Sequence, residues 1–248
     1  LDGGADGIGN GEGTLTLGAN AVVQGAGGLG AQNYYGNYYG GINHLVNNGK
    51  ISATLAGYSL YVNNNGNLTN NKTIEADGGI LSIGNGGTFT NSSGALLEAK
   101  NAGVLTIAPA GSWSNSGTIR VADATSTVNL GGSFTLAAIG TLSNSAGGTV
   151  NLTGVLDNTG STLSLSNTTG SLNLVGGSIT GGTVQQAGAN VLTFAGYPYI
   201  NYNTLDGVTV RGDVNVQASD SNYATLSIRN GLTVRSEDGL SNGVLNVS

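Results

Sequence analysis

Two stretches, LVNNGKISA from Leu45 and LTNNKTIEA from Leu68, decide the fold of this chain. Each starts with a large apolar residue, places an asparagine two positions later, and reaches a β-branched residue or leucine some six to eight positions after the first. The same pattern recurs in FTNSSGALLEA from Phe89, WSNSGTIRV from Trp113, LSNSAGGTVNL from Leu142 and LDNTGSTLSL from Leu156. The shared asparagines are Asn47, Asn70, Asn91, Asn115, Asn144 and Asn158. The chain therefore contains an internal repeat.

The repeat has a period of about 22 residues. Successive shared asparagines are 23, 21, 24, 29 and 14 residues apart, and the last two steps together span about two periods. Alternating apolar and polar residues, a sign of strands, recur in step with the asparagines. These short strands are SLYV from Ser59, ILSI from Ile80, VLTI from Val104, TVNL from Thr127, TVNL from Thr149, SLNL from Ser171 and VLTF from Val191.

A unit of this size cannot bury its apolar face alone, so consecutive units must stack and pair strand on strand in parallel. We therefore predict an all-β fold, a right-handed parallel β-helix or solenoid of about 22 residues per coil, with 1–248 as a single segment. The residues expected to stack inside it are Leu45, Leu68, Phe89 and Trp113.

The recurrent asparagine should mark a corner of each coil. It follows an inward-facing apolar residue by two positions and therefore lies on the same side of the strand. Amides stacked from coil to coil can hydrogen-bond to one another as a ladder, and we predict a structural ladder through all six asparagines. The glycine or asparagine that follows should supply the positive φ of a tight corner.

Composition excludes several classes of function. Only 8% of the 248 residues are charged, 45 are glycine and none is cysteine, which is a poor composition for long helices. The formal net charge is −6 with seven Lys and Arg side chains, so we expect no nucleic-acid partner. No run of eighteen apolar residues occurs, so we expect no direct membrane insertion by this segment.

One segment, 25–41, departs from the repeat and ends in NYYGNYYGG. We interpret it as an extruded loop or a cap. Its clustered tyrosines could stack on sugar rings or pack at a protein interface, because exposed aromatic residues contribute disproportionately to binding. The alternative is a hydrophobic lid that folds back over the end of the coil. The predicted binding residues are Tyr34, Tyr35, Tyr38 and Tyr39.

The densest charged patch should form an outward column. Glu75 and Glu98 are 23 residues apart, Arg120 follows after 22, and Asp77 and Lys100 lie two positions beyond the glutamates. We expect Glu98 to pair with Arg120 across neighbouring coils. The alternative is a carbohydrate-active β-helix enzyme, a polysaccharide lyase or hydrolase, in which Glu75, Asp77 and Glu98 supply the paired carboxyls of glycoside cleavage.

Metal and cofactor sites have little support in the sequence. His44 is the only histidine, so without cysteine no zinc site of the usual kinds is expected. Asp2, Asp6 and Glu12 stand among glycines and loosely match calcium-binding repeats; the alternative is a plain flexible or capping turn. We predict no other cofactor and no catalytic residue.

The repeated motif, GGSITGGTV from Gly176, and TLDGVTVRGDVNV from Thr204 resemble the passenger regions of large bacterial adhesins, both autotransporters and filamentous-haemagglutinin-like exoproteins. The resemblance covers the chain from about Gly13 onward. It implies secretion, display on the bacterial cell surface outside the outer membrane, and a role in adhesion, virulence or biofilm. The expected partner is a glycan or protein on a host or neighbouring cell.

A self-assembling extracellular filament subunit is the other alternative to an adhesin. The uncapped end of a β-helix exposes strand edges that can template another copy of the chain.

Overall fold

The computed structural model describes residues 13–30, 32–34, 37–39, 44–195, 203–216 and 224–247. Within these ranges the chain is almost entirely β, and its parallel strands stack turn upon turn as a β-helix with about 23 residues per turn. The predicted fold class is therefore confirmed.

Each of the first five turns contributes one strand to each of three sheets, and a hairpin separates the first turn from the second. These strands are β1 (Thr14–Leu17), β2 (Val22–Gln24), β3 (Gly27–Gly30), hairpin strands β4 (Gln32–Tyr34) and β5 (Asn37–Tyr39), β6 (His44–Asn47), β7 (Lys50–Ala53), β8 (Ser59–Asn63), β9 (Leu68–Asn70), β10 (Thr73–Asp77), β11 (Ile80–Ile83), β12 (Phe89–Asn91), β13 (Leu96–Lys100), β14 (Val104–Ile107), β15 (Trp113–Asn115), β16 (Thr118–Val121) and β17 (Thr127–Leu130).

The later turns include a single helical turn and two long strands. Their elements are β18 (Ser133–Thr135), α1 (Leu136–Ile139), β19 (Thr141–Ser143), β20 (Thr149–Leu152), β21 (Val155–Asp157), β22 (Thr162–Ser164), β23 (Leu172–Leu174), β24 (Ser178–Thr180), β25 (Thr183–Gln185), β26 (Leu192–Phe194), β27 (Asn203–Arg211), β28 (Val214–Val216), β29 (Leu226–Arg235) and β30 (Leu245–Val247).

Four sheets run along the stack. The first contains β1, β6, β9, β12 and β15; the second β2, β7, β10, β13, β16 and β19; the third β3, β8, β11, β14, β17, β20, β23 and β26; and the fourth β18, β21, β24, β27, β25 and β22. Beyond them, β29 pairs with β27 and β30 with β28. Every strand pairing between turns in the described ranges is parallel, because each strand meets its equivalent one turn away.

The core is the column of inward-facing apolar residues that the repeat predicts. Leu45 pairs with Leu68, Leu68 with Phe89, and Phe89 with Trp113, and all four are buried. Burying one such side chain stabilises the fold by about 1.5 to 3 kcal/mol. Stacking these residues therefore provides much of the driving force for adding a turn.

The sixth turn differs from the prediction. Leu142 begins a segment with the same sequence pattern as Trp113, but it pairs with Ile119 in the second sheet. Phe134 stands in the column instead, with its ring centroid 4.5 Å from that of Trp113. The physical reason is α1, whose four residues lengthen this turn. The strand that follows, β19, therefore lies in the second sheet and not in the first.

The segment outside the stacked turns is shorter than the predicted 25–41. Gly27–Gly30 is strand β3 of the third sheet, and Leu29 on this strand is buried in the core. Only after Gly30 does the chain leave the stack, to form the antiparallel pair of β4 and β5. The GAGGLG stretch concealed this strand because its glycines have no side chains to reveal an alternation.

Candidate functional site

The charged column lies on the outer face of the second sheet. Glu75 is the register partner of Glu98, and Glu98 is the partner of Arg120, as the spacing predicts. Ile74 and Ala76 flank Glu75 on β10 and point into the core, so strand alternation directs Glu75 outward. Yet the Glu75 side chain is only 3% exposed. We call Lys50, Glu75, Asp77, Glu98, Lys100 and Arg120 the charged column.

Cations from neighbouring turns cover both glutamates. The Lys50 Nζ lies 2.6 Å from one carboxylate oxygen of Glu75, and the Lys100 Nζ lies 3.1 Å from the other. Ser52 Oγ donates a further hydrogen bond of 2.7 Å to Glu75. Arg120 donates to Glu98 Oε1. Long aliphatic stems laid over the sheet exclude water from the carboxylates while the charged heads stay near the surface.

The electrostatics around Glu75 and Lys100 favour the ionised form of both side chains. Burial acts to raise the pKa of Glu75, but hydrogen bonds from its three neighbours outweigh it and hold that pKa below its ordinary value. Burial would lower the pKa of Lys100, yet the hydrogen bond to Glu75 and the nearby carboxylates raise it. A general acid requires a carboxyl with a raised pKa. Glu75 has the opposite shift and suits a permanent ion pair.

The asparagine ladder forms the corner between the first and second sheets. Asn47 Nδ2 donates to Asn70 Oδ1, Asn70 Nδ2 to Asn91 Oδ1, and Asn91 Nδ2 to Asn115 Oδ1, each at 2.7 Å. All four side chains are buried. A chain of buried amides that satisfy one another fixes the corner of each turn in register with the next.

The ladder ends at Asn115, and two of the predicted members lie elsewhere. Asn115 Nδ2 donates to the carbonyl of Ile139 at the end of α1, at 2.7 Å. Asn144 follows β19 and donates to Gly148 O within its own turn, at 2.8 Å. Asn158 donates to Thr183 O in the next turn, at 2.9 Å. The insertion of α1 separates these two amides from the four-residue ladder.

At Gly49 and Gly117 the glycine after the corner has a different role from the predicted one, whereas Gly160, after Asn158, has the predicted positive φ. Gly117 N donates to Asn115 Oδ1 at 3.0 Å, and neither Gly49 nor Gly117 has a positive φ. A Cβ at Gly49 would lie 2.2 Å from Ala21 O, and one at Gly117 would lie 2.2 Å from Ala95 O. Glycine is used here because the turns approach closely, and not because of backbone conformation.

Two further polar arrays were not predicted from the sequence. Asn85, fully buried at another corner, donates from Nδ2 to the carbonyls of Gly66, Gly87 and Thr88, each at 3.0 Å. The sequence feature that indicates this corner is the recurrence of Asn-x-Gly in NNNGN and GNGG, 21 residues apart.

An outer ladder runs along the third sheet. Asn129 Nδ2 donates to Thr106 Oγ1 at 3.0 Å, Asn151 Nδ2 to Asn129 Oδ1 at 2.8 Å, and Asn173 Nδ2 to Asn151 Oδ1 at 3.0 Å. The repeated strand TVNL carried the signal for it. None of the eight strands of this sheet contains a charged residue. The third sheet therefore presents a neutral outer face of hydroxyl and amide groups.

Exposed aromatic residues stand at one end of this neutral face. Tyr61 projects from β8, and Tyr58 lies just before that strand; both are exposed. The hairpin of β4 and β5, which carries Tyr34, Tyr38 and Tyr39 in its strands, follows directly after β3, the neighbour of β8.

The remaining predicted site residues lie partly outside the described ranges. Tyr35 and the proposed calcium ligands Asp2, Asp6 and Glu12 all fall there. Within the ranges given above, no group of three or more His, Asp or Glu side chains could hold a metal ion. His44 Nδ1 accepts a hydrogen bond from Asn67 N at 3.1 Å, which gives this side chain a structural partner.

No helix in the described part of the chain is long and apolar enough to cross a membrane. Comparison with protein-family models, curated proteins and solved structures finds no match to this chain.

Proposed function

We infer that this chain is a non-enzymatic structural and adhesive β-helix of a secreted bacterial surface protein. The observation that carries the proposal is the way its outer polar groups are used. In the charged column and in the outer ladder, side chains bond to side chains on adjacent turns. Such groups reinforce the stack along its axis.

In the alternative function, a carbohydrate-active enzyme, the catalytic carboxyls would be those of the charged column. There, Glu75 contacts two lysines and Ser52, and Glu98 contacts Arg120. A carboxylate so bonded is poorly placed to transfer a proton to a glycosidic oxygen. These contacts support the structural role.

The neutral face of the third sheet supports the adhesive role. Neutral sugars offer hydroxyl groups and apolar ring faces, which amides, hydroxyls and aromatic rings can bind without a charge. Tyr58 and Tyr61 supply exposed rings at one end of this face, and the hairpin of β4 and β5 follows β3, the strand next to β8. The resemblance to adhesin passenger regions supports secretion and surface display.

The test is binding of the fluorescently labelled chain to a glycan array and to cultured epithelial cells. We expect binding by the native chain and at least a tenfold loss, about 1.4 kcal/mol, in the Tyr58→Ser, Tyr61→Ser double variant. Val155→Ser, which replaces an exposed apolar residue on β21, should bind as the native chain does.

Absence of binding to every glycan and cell would refute the adhesive part of the proposal. Release of new reducing ends from polysaccharides incubated with the chain, lost in Glu75→Gln, would refute the non-enzymatic part.

A further inference from the structure

The outer ladder of the third sheet is part of a longer row of side chains. On each strand from β8 to β26, one residue points outward between two buried ones. Each of these residues is the register partner of the next along the stack. With about 4.8 Å between paired strands, the row is roughly 30 Å long. We call it the outer row, and its members are Tyr61, Ser82, Thr106, Asn129, Asn151, Asn173 and Thr193.

The amides of the outer row are held in place by the ladder but are only half used by it. Asn129, Asn151 and Asn173 each donate one N–H to the preceding member and accept one hydrogen bond from the following member. Within the described ranges these side chains make no other hydrogen bond. A primary amide has two N–H groups and two oxygen lone pairs, and all three side chains are half-buried. Because the ladder already orients them, a ligand that bonds to the remaining groups loses little side-chain entropy.

A column of β-branched side chains lies beside the outer row, two positions earlier on each strand. Val104, Thr127 and Thr149 are register partners in turn, and a step of two residues keeps them on the same face as the amides. Thr149 is exposed, and the other two are half-buried. Their methyl groups place an apolar strip next to a row of hydrogen-bonding groups. A sugar ring has the matching surfaces, with hydroxyl groups at its edge and C–H groups on its faces.

Tyr61 places an aromatic ring in the same row as the amides. It is 46% exposed, and Ser82, the next member of the row, has a small side chain. Aromatic rings pack against the C–H faces of sugars. A glycan chain whose first sugar stacks on Tyr61 can therefore continue along the outer row towards Asn129.

The charge of the chain selects a neutral polymer. None of the eight strands of the third sheet contains a charged residue, and the formal net charge of the chain is −6. An acidic polysaccharide would bring carboxylates to amides that have no cation beside them, and the net charge would repel it. A neutral polysaccharide meets neither cost.

The repeat of the stack selects the orientation of the ligand. Across the face, strands such as β11, β14 and β17 have four residues each, which span roughly 13 Å. Along the axis, equivalent groups recur at every turn over roughly 30 Å. A ligand that lies along the axis therefore meets a hydroxyl or amide and an adjacent methyl group in each turn, whereas one that lies across the face meets only one or two such pairs.

We propose that the outer row binds an extended, neutral polysaccharide that lies parallel to the axis of the stack. One sugar stacks on Tyr61, and later sugars bond to the free groups of Asn129, Asn151 and Asn173. The proposal rests on the glycan-binding function proposed above and extends it from an aromatic contact to a site that crosses several turns. Affinity then rises with the length of the glycan, and it is insensitive to salt because no ion pair forms.

Isothermal titration calorimetry with cellobiose, cellotetraose and cellohexaose tests the dependence on length. These oligosaccharides are neutral and extended, with hydroxyl groups along both edges. We expect the Kd to fall by at least about tenfold from cellobiose to cellohexaose, equally at low and at high salt, and hexagalacturonate not to bind. Equal affinity for all three lengths, no binding of any of them, or tighter binding of hexagalacturonate would overturn the proposal. Binding of a different glycan on the array would then leave the proposed function standing.

Asn151→Ala separates the outer row from its aromatic end. Asn151 lies four strands from Tyr61, roughly 19 Å along the stack, so cellohexaose reaches it and cellobiose bound at Tyr61 does not. We expect the variant to weaken cellohexaose binding by about fivefold or more and to leave cellobiose binding unchanged. The matched control is Asn71→Ala. Asn71 also bonds to side chains on both adjacent turns, Asn48 and Ser92, but it lies at the corner between the first and second sheets, and its variant should bind as the native chain does.

Thr149→Glu tests the row without breaking the ladder. Thr149 is exposed, and its side chain makes no hydrogen bond within the described ranges. A carboxylate at this position should weaken cellohexaose binding by about fivefold or more, because the ligand would have to desolvate it. Circular dichroism of each variant establishes that the β-helix is retained. If Asn151→Ala and Thr149→Glu both bind cellohexaose as the native chain does, while the Tyr58→Ser, Tyr61→Ser variant does not, binding is confined to the aromatic end; that result would overturn the inference and leave the proposed function standing.

Discussion

At the scale of single residues, the sequence predicts where polar side chains lie but not which partners they bind. The position of Asn91 two residues after Phe89 was enough to place its amide inside the corner, because strand alternation fixes the side. The burial of Glu75 was not predictable, because it depends on where Lys50 and Lys100, on two different turns, direct their long side chains. Sequence spacing gives the register of these residues and leaves their rotamers open.

The buried ladder should contribute more to stability than the outer one. Asn91 accepts from Asn70 and donates to Asn115, so Asn91→Ala leaves buried amide groups facing a void. We expect it to lower the free energy of unfolding by about 2 kcal/mol or more. Asn129→Ala breaks equivalent bonds on the half-exposed third sheet, where water can replace them, and should cost less than about 0.5 kcal/mol. Urea unfolding measures both, and equal losses would show that burial of the ladder is unimportant.

The charged column should make stability depend on pH in the acidic range. The folded-state pKa of Glu75 lies below its ordinary value of 4.5, so its ionised form stabilises the fold above that pH. This contribution is lost as the pH falls through the folded-state pKa. We expect the melting temperature to drop below about pH 4.5, and to drop less in Glu75→Gln. Glu237→Gln, at an exposed position, should follow the native curve; identical curves for Glu75→Gln and the native chain would contradict the prediction.

At the scale of elements, the regular turns were predictable and the irregular turn was not. The strands of the first five turns keep the period, so one repeat predicts the next. Helix α1 is only four residues long, LAAI, and so short a segment shows no helical periodicity. The single sign of it was the step of 29 residues from Asn115 to Asn144.

The irregular turn also leaves the core imperfectly packed. A cavity of about 20 Å³ lies inside the stack, lined by Phe134, Ile139, Val150 and their apolar neighbours. Val150→Ile adds one methylene beside it and should raise the free energy of unfolding by about 0.5 to 1 kcal/mol.

The matched control for this change is Val128→Ile. Val128 is the register partner of Val150 one turn earlier and does not line the cavity. In that tighter packing the same methylene should destabilise the fold by about 1 kcal/mol or more. Thermal or urea unfolding of both variants separates the two effects, and stabilisation by neither would mean that the cavity cannot accept the added group.

At the scale of the whole molecule, the stack behaves as a one-dimensional array in which each turn contacts only its neighbours. Period and composition predict the array itself. They do not predict how its ends differ from its middle, because a repeat has the same pattern wherever it stands. Leu205 and Ile228 are both apolar and lie in the same column. Leu205 is buried because a further turn covers it, whereas no described turn covers Ile228.

The array should therefore unfold from its ends. Turns in the middle have neighbours on both sides, whereas β29 and β30 have described neighbours on one side only, so their hydrogen bonds open at lower free energy. In dilute solution, hydrogen exchange followed by mass spectrometry should show amides of β29 exchanging at least about a hundredfold faster than those of β14. Protection that is uniform along the chain in dilute solution would refute end fraying.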